Sequence, residues 1–178
     1  LVQFTTSKFA AQGIRKAYDL GWRPALHIIA SVASSVGGTL APAGLERSKG
    51  VITARWEKHP TDTTTRDDPD VVEYRAFAKK YMPNLNIEDN TAVPGYINSF
   101  TIARVLKACG NELTRDNILK HATSLKDVVA PMLLPGITLT NSPDDYLAFH
   151  AMQLAQFDGE KFVAMGDVIR LDAARGKS

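Results

Sequence analysis

The first 21 residues constrain the fold more than any other part of this sequence, because they join a strand pattern directly to a helix pattern. Apolar residues open the chain as a β-strand would, and Thr5, Thr6 and Ser7 follow. Hydroxyl side chains of this kind commonly accept hydrogen bonds from the first amides of a helix. From Phe9 onward, apolar residues recur near helical spacing until Gly21, a usual helix stop. The sequence therefore predicts a strand that runs into a hydroxyl-capped helix.

Composition excludes several classes of protein. The 178 residues are 44% hydrophobic and 22% charged, as in globular chains. A net charge of +2, with basic and acidic residues interspersed, predicts no nucleic-acid partner. No apolar run approaches the ~18 residues that a membrane span needs. Cys109 is the only cysteine, so no intramolecular disulfide can form, and we expect a buried thiol. Because the chain begins on Leu1 and Val2, we interpret its start as the interior of a strand from a longer polypeptide.

Residues 1–56 alternate between strand and helix patterns. A second apolar run, at 25–30, predicts a strand covered on both faces, and 51–56 predicts a third strand. Between them, segment 31–38 is small and polar, and residues 39–44 predict a short helix or turn. The order β-α-β-α-β predicts a parallel sheet with right-handed crossovers. The loops after its first two strands would then lie at the edge where open α/β sheets bind ligands.

The remainder of the chain is predicted to be mostly helical. A polar segment from 57 to 68 reads as a connection, and Asp68-Pro69 predicts the start of a helix that ends before Pro83. In the next helix, to Gly110, the apolar residues spaced for one buried face are Ile102, Val105, Leu106 and Cys109. Thr114 predicts the cap of a third helix.

Two strand signals follow those helices. Residues 137–140 alternate between apolar and polar, as in a half-buried strand. Apolar segments on either side of Asp158-Gly159 predict a two-residue hairpin, the strongest local signal in the chain.

No catalytic or metal-binding pattern is present. The histidines are far apart in sequence and none has metal-ligand spacing, so we predict no metal and no cofactor. Ser31 and its neighbours Ser34 and Ser35 lie outside any nucleophile elbow. Residues 36–39 match neither phosphate-loop fingerprint. The sequence therefore offers no positive sign of an enzyme.

Two features leave alternatives open. The amino terminus of the first helix suits a carboxylate or phosphate, but an ordinary capped packing helix explains it as well. Tyr96, beside Gly95 at a helix start, could line a cleft or could be a packed tyrosine with a bonded hydroxyl.

The order of these segments resembles the second half of type I periplasmic solute-binding proteins, the group that contains the leucine/isoleucine/valine-binding proteins of ABC importers. The resemblance covers nearly the whole chain. The residues that carry it lie at 1–4, 11–17, 50–54, the pair Gly95-Tyr96, and the closing hairpin at 153–159.

This resemblance implies an α/β fold of three-layer, Rossmann-like lobes, incomplete in this chain. It places residues 1–57 in the second lobe, 58–67 in a connection between lobes, and 68–142 in the first lobe. Residues 143–178 would supply a crossover, the terminal hairpin of the second lobe and a tail.

The resemblance also implies a binding site and a role. Ligand contacts would come from three places, listed in chain order: Phe4, Thr5 and Thr6; Ser31 and Val32; and Tyr96. Relatives often carry an acidic residue after the second strand, where this chain has Ser31-Val32. An aromatic or other organic carboxylate is therefore as much a candidate ligand as an amino acid.

The implied protein is a non-enzymatic, exported or periplasmic component that delivers its ligand to ABC transporter membrane subunits. A ligand-sensing domain of a regulator or receptor with the same fold is the alternative, and a Rossmann-like enzyme fragment is the third. Helices with apolar faces and few strands to cover them also predict self-association of this chain.

Overall fold

The computed structural model of the protein describes residues 1–87 and 90–171. Two 3₁₀ turns, Ser31–Ala33 and Asn90–Ala92, and a π-helical turn, Val36–Leu40, supplement the regular elements. In chain order, the strands and α-helices of the described residues are β1 (Val2–Gln3), α1 (Ser7–Asp19), β2 (Ile28–Ile29), α2 (Ala41–Ala43), α3 (Leu45–Ser48), β3 (Ile52–Arg55), α4 (Pro69–Tyr81), α5 (Val93–Cys109), α6 (Arg115–Ala122), β4 (Ala151–Phe157) and β5 (Phe162–Arg170).

The five strands form one sheet in the order β1-β2-β3-β4-β5. β1 pairs parallel with β2, and β2 pairs parallel with β3, with Ile28 opposite both Val2 and Ile52. β4 then runs antiparallel to β3. The parallel β-α-β-α-β order predicted for residues 1–56 is confirmed.

The second strand is shorter than the predicted 25–30. Only Ile28–Ile29 is extended and paired, because its partner β1 offers only two residues. Leu26 remains 59% exposed, with its carbonyl accepting a hydrogen bond from the amino group of Leu1 at 2.7 Å. Pairing with β1 and β3, and not the length of the apolar run, limits the strand.

The described residues divide into two compact units. Unit 1 comprises Leu1–Arg55, Gln153–Asp167 and the described part of Asn86–Asn90. Unit 2 comprises Trp56–Leu85, Thr91–Met152 and the described residues after Asp167.

The core of unit 1 joins α1 to the sheet. Phe157 and Phe162, from the two strands of the closing hairpin, contact each other within it as tilted rings at a centroid distance of 5.5 Å. The residues of this core are Ala11, Ile14, Ile29, Leu40, Ala43, Val51, Ala155, Phe157 and Phe162. Apolar positions spaced along α1 therefore pack against strands that are far away in sequence.

The hairpin turn between β4 and β5 is longer than predicted. Four residues, and not two, separate the strands. The Asp158 carboxylate accepts hydrogen bonds from the amides of Glu160 at 2.8 Å and Lys161 at 2.9 Å. These bonds hold the pKa of Asp158 below its usual value. The aspartate thus caps a wider turn, in which Gly159 has a φ of 114°.

The helices of unit 2 have the predicted positions. Thr114 caps α6 as expected, accepting a hydrogen bond from the Asn117 amide at 3.3 Å. On α5, Val105 and Cys109 are buried as predicted. Ile102 and Leu106 do not share that burial, since they are 60% and 41% exposed. Because α5 carries apolar residues on more than one face, spacing alone did not identify the covered face.

The strand predicted at 137–140 is wrong. Leu139 alone forms bridges, to Val128 and to Phe149. The hydroxyls of Thr138 and Thr140 both donate to the carboxylate of Asp127, at 3.4 and 3.3 Å. Side-chain hydrogen bonds in this loop take the place of a regular ladder.

A partly buried ion pair fixes the start of α4. The Lys58 ammonium lies 2.8 Å from carboxylate oxygens of both Asp68 and Asp70, and its side chain is only 10% exposed. Asp68 therefore serves Lys58 and makes no side-chain cap to the helix that it precedes. The second oxygen of Asp70 accepts the amide of Met132 at 2.8 Å. Met132 is fully buried with a φ of 67°, so this bond stabilises a conformation that residues other than glycine rarely adopt.

Opposing effects set the pKa values of this pair. Burial alone lowers the pKa of Lys58, but its hydrogen bonds to Asp68 and Asp70 outweigh burial and raise the net pKa. Burial tends to raise the pKa of Asp70, but hydrogen bonds from Lys58 and Met132 outweigh it and lower the net pKa. Both shifts favour the charged forms, so the pair stabilises the folded state at neutral pH.

We predict that Asp70→Asn lowers the free energy of unfolding by about 2 kcal/mol at neutral pH, since it leaves Lys58 buried with one carboxylate. The measurement is chemical denaturation of wild type and variant across pH. A lowered folded pKa means that the Asp70 contribution is present above the unfolded value of about 3.9 and is lost as pH falls through the folded pKa. The difference between the two proteins should therefore shrink in acid.

Asp67→Asn is the matched control, because Arg66 is the one ion-pair partner of Asp67 among the described residues and the Asp67 side chain is 87% exposed. It removes the same charge from the same segment and should change stability by less than about 0.5 kcal/mol. Equal effects of the two substitutions, or a difference that does not depend on pH, would contradict the role assigned to Asp70.

Candidate functional site

The ends of β1 and β2 lie side by side at one edge of the sheet. Gln3 is opposite Ile29 in the parallel register, and the Ala30 amide donates to the Gln3 carbonyl at 3.0 Å. Phe4 and Ser31 therefore leave the sheet at the same edge. This is the carboxyl edge, where open α/β sheets bind ligands.

Neutral side chains cover this edge. Phe4 is 88% exposed and Val32 is 77% exposed, so both present apolar surface. Thr5 and Ser31 are half-buried and Thr6 is exposed. Neither residues 4–7 nor residues 30–40 include an Asp or a Glu. The edge thus combines apolar surface with hydroxyls and offers no carboxylate to an ammonium group.

The amino terminus of α1 differs from the prediction. The Thr6 side chain makes no capping hydrogen bond, and the Thr6 carbonyl instead accepts the amides of Phe9 and Ala10 at 3.1 and 3.0 Å. Neither Ser7 nor Lys8 donates its amide to another group among the described residues. This 13-residue helix therefore directs open amides and its positive dipole end toward the carboxyl edge.

Two hydroxyls in the loop after β2 form hydrogen bonds within the loop, and a third does not. The Ser34 hydroxyl donates to the Ser31 carbonyl at 2.7 Å, and the Ser35 hydroxyl accepts the Gly38 amide at 2.9 Å. Both serines are buried and stabilise the loop. The Ser31 hydroxyl makes no such bond within the described part of the chain, so it is available to a ligand.

Tyr96 lies in unit 2, in the first turn of α5. Its ring contacts Tyr74 edge-on at a centroid distance of 5.2 Å and Phe77 at 5.1 Å. Burial raises the pKa of Tyr96, and the negative charges of Glu73 and Asp70 raise it further. The hydroxyl is thus protonated at neutral pH and can donate. The ring is packed, as the interpretation of Tyr96 as a packed tyrosine predicts. That interpretation also predicts a hydrogen-bonded hydroxyl, but the hydroxyl has no hydrogen bond among the described residues.

The described residues contain no group of three His, Cys, Asp or Glu side chains that could hold a metal ion. In the same ranges, no helix is both long enough and apolar enough to cross a bilayer.

Five of the six predicted ligand residues come together at the carboxyl edge of unit 1: Phe4, Thr5, Thr6, Ser31 and Val32. Tyr96 belongs to unit 2.

The spacing of one apolar residue near the edge predicted the wrong burial. Phe9, in the first turn of α1, matched the buried face of the helix, but its side chain is 58% exposed.

Neither protein-family models nor curated protein sequences match this chain. Solved structures do match it. A possible leucine/isoleucine/valine-binding protein from Rhodopirellula baltica SH 1 has a TM-score of 0.73 at 18% identity, over 93% of this chain and 42% of its own. A branched chain amino acid ABC transporter protein from Thermus thermophilus, with bound valine, has a TM-score of 0.73 at 14% identity, over 95% and 46%.

A third match is a fatty acid ABC transporter substrate-binding protein from Thermomonospora curvata, with a TM-score of 0.67 at 19% identity, over 99% of this chain and 44% of its own. The chain thus spans less than half the length of these structures. It has the α/β fold of type I periplasmic binding proteins, which confirms the predicted fold class and the resemblance stated above.

We predict that Tyr96→Ala lowers the free energy of unfolding by about 2 kcal/mol, because it removes the ring contacts with Tyr74 and Phe77. Tyr96→Phe keeps those contacts and should change stability by less than about 0.5 kcal/mol. Urea denaturation of the three proteins measures both values. Equal losses in the two variants would instead assign the contribution to the hydroxyl.

Proposed function

We propose that this chain is part of the solute-binding component of an ABC-type importer and that it captures a small carboxylate. One observation carries the proposal: the open amides at the start of α1 lie at the carboxyl edge of the sheet, beside the hydroxyls of Thr5, Thr6 and Ser31. Amides at a helix start bind anionic oxygens, and the helix dipole favours the charge.

The same edge indicates what the rest of the ligand is like. Phe4 and Val32 expose apolar surface that a hydrocarbon or aromatic group would cover. The absence of acidic residues from both loops leaves an α-ammonium without a partner there, which favours a carboxylate that lacks one. Among the matched structures, one binds valine and one is named for fatty acid transport. An amino acid and an apolar organic carboxylate are therefore the two ligand classes to test.

The proposed role is binding without chemistry. Its partners would be the ligand and the membrane subunits of an importer, and its location would be periplasmic or otherwise exported. Tyr96 is proposed as a further ligand contact, through its protonated hydroxyl. The assignment of residues 1–57 and of the hairpin in 143–178 to one lobe, of 68–142 to the other, and of 58–67 to their connection is likewise a proposal.

Self-association is part of the proposal because unit 2 exposes apolar surface. A groove of about 470 Å³ runs along α5, lined by Phe100, Ala103 and Ala108 together with the basic residues Arg104 and Lys107. Ile102 and Leu106 on the same helix are also exposed. Apolar surface of this kind is seldom left in water.

We predict that the intact gene product binds 4-methylpentanoate more tightly than leucine, because the two differ chiefly in the α-ammonium. Thr6→Val should weaken binding by about 1 kcal/mol through loss of a hydroxyl, and Phe4→Ala by a similar amount through loss of apolar contact. Isothermal titration calorimetry measures each affinity.

Gln12→Ala is the matched control, since Gln12 is an exposed residue farther along α1. Its affinity should equal that of wild type. Undiminished affinity in both Thr6→Val and Phe4→Ala would disprove the site. Tighter binding of leucine than of 4-methylpentanoate would be compatible with the site but would identify the ligand class as amino acids.

Loss of ligand uptake on deletion of the gene separates an importer component from the alternative, a ligand-sensing domain of a regulator or receptor. A sensor would bind the ligand equally well, but its deletion would change gene expression and leave uptake intact.

We predict that the purified 178-residue chain self-associates at micromolar concentration through an interface above ~1,000 Å² in total. Sedimentation velocity should show an s-value that rises with concentration. Ile102→Gln with Leu106→Gln should shift the equilibrium toward monomer. Val129→Gln, at a residue 74% exposed elsewhere in unit 2, should not. A concentration-independent monomer with cooperative unfolding would refute the prediction.

A further inference from the structure

Unit 1 contains a small cavity at the sheet edge opposite the candidate ligand site. His27 precedes β2, Gly50 precedes β3, and both line this cavity together with Tyr18 near the end of α1. It therefore lies at the amino-terminal edge of the parallel strands. No residue of the proposed carboxylate site takes part in it.

Three cationic side chains line the cavity: Arg23, Arg47 and Lys49. The one ion pair that involves them within the described residues joins Arg47 to Asp19 at 3.7 Å, and both of those side chains are about half exposed. Lys49 has no ion pair or side-chain hydrogen bond there. The cavity wall thus carries three positive side chains, of which only Arg47 has a carboxylate within ion-pair distance among the described residues.

Structural roles account for only part of this charge. A terminal nitrogen of Arg23 donates to the carbonyls of Tyr18 at 3.2 Å and Trp22 at 3.3 Å. Its guanidinium also lies 4.0 Å from the centre of the Tyr18 ring. Arg23 therefore stabilises the end of α1. Its remaining donors, like the ammonium of Lys49, have no acceptor in the described part of the chain.

A fourth side chain of the cavity wall, His27, also lacks a hydrogen bond at one ring nitrogen in the described part of the chain. The Nε2 atom of His27 is buried and has no hydrogen-bond partner among the described residues. A buried polar atom in this state is unfavourable unless an additional group supplies its partner. Burial lowers the pKa of His27, so the imidazole is neutral at pH 7.

Size restricts what the cavity can accept. Its volume is about 190 Å³, roughly six times the ~30 Å³ that a water molecule occupies in the liquid. Sites for drug-sized ligands are larger, from about 300 Å³. From the three cations, their unused donors and this volume, we propose that the cavity binds a compact oxyanion of the phosphate or sulfate class. Guanidinium and ammonium groups are the side chains that bind such oxygens best.

A nuclear magnetic resonance titration of the intact chain with inorganic phosphate, at constant ionic strength, tests the proposal. We expect saturable shifts of the Trp22 indole and the Gly50 amide, and no saturation with chloride. Arg47→Gln and Lys49→Gln should each raise the dissociation constant about tenfold, since each removes a charge-assisted bond. A parallel titration with sulfate shows whether the site distinguishes the two oxyanions.

Arg15→Gln is the matched control, because it removes one exposed positive charge from α1 and does not line the cavity. Its dissociation constant should stay within about twofold of wild type. Lys49 is exposed and does not contribute to the core, so Lys49→Gln tests the site even if Arg47→Gln fails to fold. Shifts that fail to saturate with phosphate, or equal weakening by Arg15→Gln and Lys49→Gln, would overturn the proposal. The outcome is independent of carboxylate binding at the other edge.

Discussion

Parallel pairing of three very short strands is the constraint on which unit 1 depends. β1 and β2 are each two residues long, so few ladder hydrogen bonds hold them together. Parallel neighbours must be joined by crossovers, and burial of α1 against the sheet stabilises that arrangement. The same geometry sends both strand ends to one edge, and there the hydroxyls, the open amides of α1 and the exposed Phe4 and Val32 meet.

The two edges of this sheet differ in chemistry because they belong to opposite ends of α1. The start of the helix presents open amides among neutral side chains, which suits a carboxylate. The end of the helix presents carbonyls, and Arg23 donates to one of them. Arg47 and Lys49 add further positive charge near this end of the helix. Helix polarity, set by the direction of the chain, thus places amide donors at one edge and carbonyl acceptors at the other.

Local patterns predicted the elements of this fold, but not how they are completed. The order of strands and helices followed from the spacing and the length of the apolar segments, because each element buries part of its apolar surface. Periodicity did not predict the length of β2, the turn at Asp158 or the loop around Leu139. Each of these depends on a partner distant in sequence or on a side-chain hydrogen bond. The place of the candidate ligand residues of unit 1 could be predicted because strand ends mark the edge of a sheet. The absent cap at Thr6 could not, because a threonine at this position permits a capping hydrogen bond but does not require one.

The closing hairpin has a consequence for the order in which the protein folds. Its strand β4 covers β3, and Ala155, Phe157 and Phe162 complete the core that α1 begins. The hydrogen bond from Gln156 to Gly50 spans 106 residues. During synthesis, the first three strands therefore leave the ribosome long before their last neighbour exists. Unit 1 must wait with an open edge, and this is the interval in which chaperones or premature pairing would act on it.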